Sequence, residues 1–179
     1  MQRLQKSLLG FGAITTLSLT IGIGSNLIEN KPAQAQAAYG NYVGVGLSGG
    51  LTEDNNGDGR QLAGVITGRY KLPNTPLSVR GQAFIGGGSF AFVPTVSYDF
   101  LINECNCNTI YLGLGGAFTS GDDPSPVGDR TSIVLQPGID YFLPNSNTVI
   151  FGNAVFALDA YKNGGGTAIS VQGGVGLTF

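Results

Sequence analysis

The sequence predicts an all-β protein whose main part is an eight-stranded antiparallel up-and-down transmembrane β-barrel. Three observations predict it. Period-2 alternation recurs in eight segments of about 11 to 13 residues, with no helical periodicity of useful length between them. The more polar face of these segments carries Gly, Ala, Ser, Thr and Gln, not the many Lys and Glu of a water-facing wall. Thirty of the 179 residues are Gly, and only 11% are charged, against a usual share of about 25%.

The composition also excludes several functions. The chain has no His, so it holds no Ser-His-Asp or Cys-His triad and no His metal site; no catalytic residue and no cofactor is expected. A formal net charge of −2 leaves no basic surface for nucleic acid. With 42% hydrophobic residues the chain is not of disordered composition, and no Gly-X-Y period makes it collagenous.

Residues 1–37 read as a secretory signal peptide. Arg3 and Lys6 precede the apolar run Leu8–Ile23, and a polar stretch ends in Ala33-x-Ala35 and Ala35-x-Ala37. Cleavage is expected after Ala37, with Ala35 the second choice. The alternative, a retained anchor, suffers from an apolar run of about 16 residues where a spanning helix needs about 20. No Cys follows the site, so lipoprotein attachment is not indicated. The remaining 38–179 form the barrel domain, with six Lys/Arg against ten Asp/Glu.

The expected strands are Tyr39–Gly49, Gln61–Lys71, Leu77–Gly87, Ser89–Phe100, Thr109–Thr119, Thr131–Leu143, Thr148–Leu158 and Thr167–Phe179. They are long for globular strands but suit tilted membrane strands. In the fourth, Phe90, Phe92, Pro94, Val96, Tyr98 and Phe100 oppose Ser89, Ala91, Val93, Thr95, Ser97 and Asp99. In the fifth, Ile110, Leu112, Leu114 and Phe118 oppose Thr109, Gly113, Gly115 and Thr119. The seventh is apolar on both faces and its register is ambiguous; Asn153 is placed inward. In the last, Ile169, Val171, Val175, Leu177 and Phe179 share a face opposite Ser170, Gln172, Gly174 and Gly176.

Connections alternate as well. Leu72–Pro76, Leu101–Asn108 and Pro144–Asn147 hold Pro and Asn turn residues next to aromatic strand ends. The other set, Gly50–Arg60, Gly87–Gly88, Ser120–Arg130 and Asp159–Gly166, is mostly longer, acidic and Gly-rich, and is expected to be solvated.

Strands of this length want closure. A soluble lipocalin-like barrel would put its apolar face inside; a membrane barrel inverts this. The weak face here bears charge only at Arg69, Lys71, Arg80, Asp99 and Asp140. A charge facing hydrocarbon at the midplane costs about 2–4 kcal/mol, so these are placed inward. Arg69, Arg80, Asp99 and Asp140 fall at one depth near the short turns and are expected to neutralise one another in the lumen. Gly44, Gly46, Gly113, Gly115, Gly138, Gly174 and Gly176 are expected to make room there for Tyr42, Phe84, Tyr111, Arg69 and Arg80. Eight strands enclose only enough space for side chains, so a packed core is expected, not a pore.

With signal peptide, eight alternating segments, alternating connections and the ending VQGGVGLTF, the chain resembles the family of small eight-stranded outer-membrane β-barrels, of OmpA type or OmpX type. The resemblance implies a place in the outer membrane of a diderm bacterium, lipid around the barrel, and folding by the barrel-assembly machinery after periplasmic chaperones. Val175, Leu177 and Phe179 then look like the family's assembly signal. The family's peptidoglycan-binding domain is not expected, and the activities of family members that use His are not carried over.

Two further motifs remain. Asp54, Asn56 and Asp58 open a D-x-[DN]-x-[DN]-G calcium pattern, but its twelfth position is Val65 where a bidentate Glu belongs, so any calcium site is weak. Cys105 and Cys107 fall in a short turn. They could form a tight local disulfide, stay free or pair between chains, or hold a metal weakly. The functional expectation is a structural or surface-interaction barrel with a filled lumen and an unidentified surface partner. The alternatives are a small-solute or ion channel and a secreted lipocalin-like binder.

Overall fold

A computed structural model describes residues 40–53, 61–86, 88–102, 108–121, 123–162 and 165–179. The signal segment 1–37 lies outside the described residues. Eight strands follow one another: β1 (Tyr42–Gly50), β2 (Leu62–Lys71), β3 (Leu77–Gly86), β4 (Ser89–Leu101), β5 (Asn108–Ser120), β6 (Ser132–Phe142), β7 (Thr148–Leu158) and β8 (Ala168–Thr178). Each pairs antiparallel with the next, and β8 returns to β1, closing the barrel. Strand ends coincide with the sequence expectation or differ from it by one residue, save at the start of β1, where they differ by three. Closure leaves no unpaired edge, which lets the chain stand in an apolar medium without orphaned backbone groups.

Alternation decides which residues face where. Val45, Leu47, Phe92, Leu112, Leu114, Ile139 and Leu177 lie exposed on the outer wall, while Arg80, Gln82, Gln136 and Gln172 are buried in the lumen. All five charged residues of the strands, Arg69, Lys71, Arg80, Asp99 and Asp140, fall on the inward face. A soluble carrier requires the reverse orientation. β7 resolves with Val149, Phe151, Asn153, Val155 and Ala157 inward. At the short-turn end the outward Tyr70, Tyr98, Phe100 and Tyr141 form an aromatic girdle.

Two prolines sit in mid-strand. The β4–β5 ladder passes from Phe92↔Phe118 to Thr95↔Gly115, and the β6–β7 ladder from Leu135↔Phe156 to Gly138↔Asn153. Pro94 and Pro137 have no N–H to donate, so each interrupts one ladder. The register is the same on both sides of each gap, so no side chain changes face.

The inner glycines serve two purposes. At Gly138 a Cβ would collide with the Tyr111 phenol, as the expectation of room for side chains requires. At Gly46, Gly115 and Gly174 the nearest obstacle is instead the backbone of the adjacent strand: the Gly173, Pro94 and Val45 carbonyls. In a narrow barrel, curvature drives inward-pointing Cβ positions of neighbouring strands together. Glycine pairs Gly44↔Gly176 and Gly46↔Gly174 therefore line the β1–β8 seam.

Candidate functional site

The lumen is built in three layers. The lowest, near the short turns, is ionic. Arg69 of β2, Arg80 of β3, Asp99 of β4 and Asp140 of β6 come together there, each at most 4% exposed. Arg69 Nη2 lies 2.7 Å from Asp99 Oδ2, and its Nη1 3.5 Å from Asp140 Oδ2. Arg80 Nη2 lies 2.8 Å from Asp140 Oδ2 and 3.3 Å from Asp99 Oδ1. Lys71 Nζ approaches Asp99 Oδ2 at 4.0 Å from the rim.

Neutral groups complete this layer. Tyr42 Oη donates to Asp140 Oδ1 at 2.9 Å, and Ser97 Oγ to Asp99 Oδ1 at 2.9 Å. Ser78 Oγ donates to Asp99 Oδ2, and Arg80 Nε donates to Ser97 Oγ at 2.9 Å. The Arg80 guanidinium stacks on the Tyr111 ring, 3.3 Å from its centroid. Buried charges persist only when paired and hydrogen-bonded, and both carboxylates here meet that condition. Composition points to the four charges; Tyr42, Ser78 and Ser97 escape it. Their signal is positional, since Ser97 stands two residues before Asp99 on the same strand face and Ser78 directly opposite Ser97.

Above lies a layer of amides and hydroxyls. Thr95 Oγ1 donates to Gln136 Oε1 at 2.7 Å. Gln136 Nε2 donates to Gln82 Oε1 at 2.8 Å and to Asn153 Oδ1 at 3.2 Å.

The uppermost layer is apolar, with Ala63, Val65, Phe84, Ala91, Val93 and Val134 among its wall residues. Long connections fill it. Pro124–Gly128 are all buried, and Val127, Ala160 and Tyr161 join the wall cluster. This corrects the expectation of solvated loops on that side: the Ser120–Arg130 connection carries an apolar tip in a polar segment and buries it. The tip is a tight turn with Ser125 and Gly128 exchanging both backbone hydrogen bonds at 2.9 Å. The neighbouring loop holds it down, because the Asp129 and Arg130 amides both donate to the Ala160 carbonyl at 3.0 Å. The hydroxyls of Tyr161 and Thr52 are 3.0 Å apart, and Thr52 Oγ1 accepts from the Ile169 amide at 2.8 Å. Outside, Arg130 and Asp159 form an exposed ion pair at 2.8 Å.

The other sequence candidates stand apart. Asp54, Asn56 and Asp58, and likewise Cys105 and Cys107, lie outside the described residues. Val175, Leu177 and Phe179 line the outward face at the chain's end, where the Phe179 amide donates to the Asn41 carbonyl at 3.1 Å.

The sequence matches no protein-family model and no curated protein. Among solved structures the chain is similar to Neisserial surface protein A, at 17% identity over 78% of this chain and 97% of that one, with a TM-score of 0.52. It is similar to Ail, the attachment invasion locus protein of Yersinia pestis, solved with the heparin analogue sucrose octasulfate, at 19% identity over 78% and 99%, with a TM-score of 0.51. A de novo designed transmembrane β-barrel is matched at 10% identity over 85% and 100%, with a TM-score of 0.51. The chain thus has the fold of the small eight-stranded outer-membrane β-barrels.

Proposed function

We propose that this chain is an integral outer-membrane β-barrel with a structural or surface-interaction role and a lumen closed to solutes. One observation carries the reading: the buried cluster of Arg69, Arg80, Asp99 and Asp140, which joins β2, β3, β4 and β6 across the lumen. The capped apolar layer above it adds a second barrier. The outward apolar wall supports lipid as the surrounding partner, and the fold likeness supports the outer membrane as its place. Residues 1–37 then serve for export, with periplasmic chaperones and the barrel-assembly machinery as partners in folding.

Planar-bilayer recording tests this reading. The native protein is expected to show no steady conductance, while Asp140→Ala or Arg80→Ala raises a leak. Steady ion current through the native protein overturns the closed-lumen reading in favour of a channel. Loss of the protein from membranes on alkaline washing overturns the membrane assignment itself.

A further inference from the structure

Interrupted ladders fall on both flanks of one hairpin. Among the described residues, six of the eight strand pairings run unbroken. The other two are β4–β5, broken at Pro94, and β6–β7, broken at Pro137. Between them β5 and β6 pair without a gap from Asn108↔Tyr141 to Ala117↔Ser132. Both breaks lie at the height of the amide layer, because Thr95 and Gln136, the neighbours of the two prolines, are bonded to each other at 2.7 Å across the lumen.

Above that height the hairpin holds to the wall by short ladders. On the β4 side they run from Phe92↔Phe118 to Phe90↔Ser120, and on the β7 side from Leu135↔Phe156 to Ile133↔Leu158. A missing N–H donor removes a rung at the foot of each. Gly116 stands in β5 at the same point, one residue above the Thr95↔Gly115 pair. It faces outward, where an added Cβ would meet nothing nearer than the Phe118 ring at 3.5 Å, so packing does not require glycine there. A glycine in a strand interior instead weakens the strand and lets it bend. At its tip the hairpin carries Val127, buried in the apolar upper lumen. The amides of Asp129 and Arg130, bonded to the Ala160 carbonyl, and the Lys162 amide, donating to Asp129 Oδ1 at 2.8 Å, fasten that tip to the neighbouring connection.

We propose that the upper β5–β6 hairpin is a hinged flap. It turns as one unit at the level of Pro94 and Pro137, releases the Ala160 contacts and withdraws Val127 from the upper lumen. The amide and ionic layers lie at or below the hinge and stay closed. The opening therefore makes a vestibule on the side of the long connections, at a free energy below that of global unfolding.

Amide hydrogen exchange of the reconstituted protein in lipid vesicles tests the flap. Phe118 and Leu135 mark its two flanks, and Phe84 marks the unbroken β3–β4 ladder beside it. Expected is one shared opening at Phe118 and Leu135, at least about tenfold more frequent than at Phe84. Exchange as slow as at Phe84, or unrelated rates on the two flanks, overturns the proposal. Pro94→Ala returns an N–H to the β4–β5 ladder, and Gly116→Ala stiffens the facing strand. Each is expected to slow both flank amides, relative to Phe84, by about two- to tenfold. Leu135 is the diagnostic amide, since it lies on the flank away from both substitutions. Slowing at Phe118 alone, or at neither amide, overturns the proposal. These rates are read without any measure of conductance, so they stand or fall apart from the closed-lumen reading.

Discussion

Arg80 and Asp140 meet at 2.8 Å in the centre of the barrel although 60 positions separate them in the chain. Their contact joins β3 to β6, which are not neighbours in the sheet. Asp140 also accepts from Tyr42 on β1 and lies 3.5 Å from Arg69 on β2. One carboxylate thus ties together strands from both halves of the wall, and its removal leaves two guanidinium groups short of a counter-charge.

Asp140→Ala is therefore expected to destabilise the barrel by about 3–5 kcal/mol, the cost of an uncompensated buried charge. The double variant Arg80→Met/Asp140→Leu leaves Arg69 matched with Asp99 and should recover much of that loss. Urea unfolding of the reconstituted protein measures both.

The outer wall should reject charge according to depth. Leu114, in the middle of β5, is 62% exposed on the outward face. Leu114→Arg is expected to cost about 2–4 kcal/mol in lipid vesicles, and Tyr141→Arg, at the end of β6, about 0–1 kcal/mol. Equal costs at the two depths would contradict a membrane-spanning wall.

At the closure seam a single methyl should matter. Gly46→Ala places a Cβ against the Gly173 carbonyl, an atom that moves only with the β8 backbone. A loss of about 1–3 kcal/mol is expected, as for other overpacked sites. Gly68→Ala, where the nearest atom is 3.9 Å away, should stay within about 0.5 kcal/mol. The faster migration of closed barrels on unboiled gels reports which variant still closes.

The cap should separate buried from exposed contacts. Tyr161→Phe removes the hydroxyl that meets Thr52 and is expected to cost about 1 kcal/mol. It should speed hydrogen exchange at the Ile169 amide, which Thr52 Oγ1 accepts. Arg130→Ala breaks only an exposed, screened ion pair and should change stability by about 0–1 kcal/mol. Protection of Ile169 unchanged in Tyr161→Phe would show that the loops do not hold one another.

Much of this architecture is legible along the chain. Alternation such as Ile110, Leu112, Leu114 against Thr109, Gly113, Gly115 is a local signal of period 2, and it survives folding because strand geometry enforces it. The side that Asn153 takes is less legible, because β7 is apolar on both faces and its alternation fits either register. Less legible is the filling of the upper lumen by Val127 and Tyr161, because a loop has no periodicity to say which side chains turn inward. Nor does the sequence distinguish Gly138, which admits a phenol, from Gly46, which admits a neighbouring backbone.

The sequence by itself determined the number of strands, their inverted polarity and the inward placement of Arg69, Arg80, Asp99 and Asp140. Each is a property of residue type at alternating positions. Only the tertiary structure decided which of these charges touch, that Tyr42, Ser78 and Ser97 complete their shell, and that Pro124–Gly128 close the mouth. Such contacts join residues as far as 98 positions apart, and the closing of eight strands into a ring sets their distances, not the neighbours of either residue in the chain.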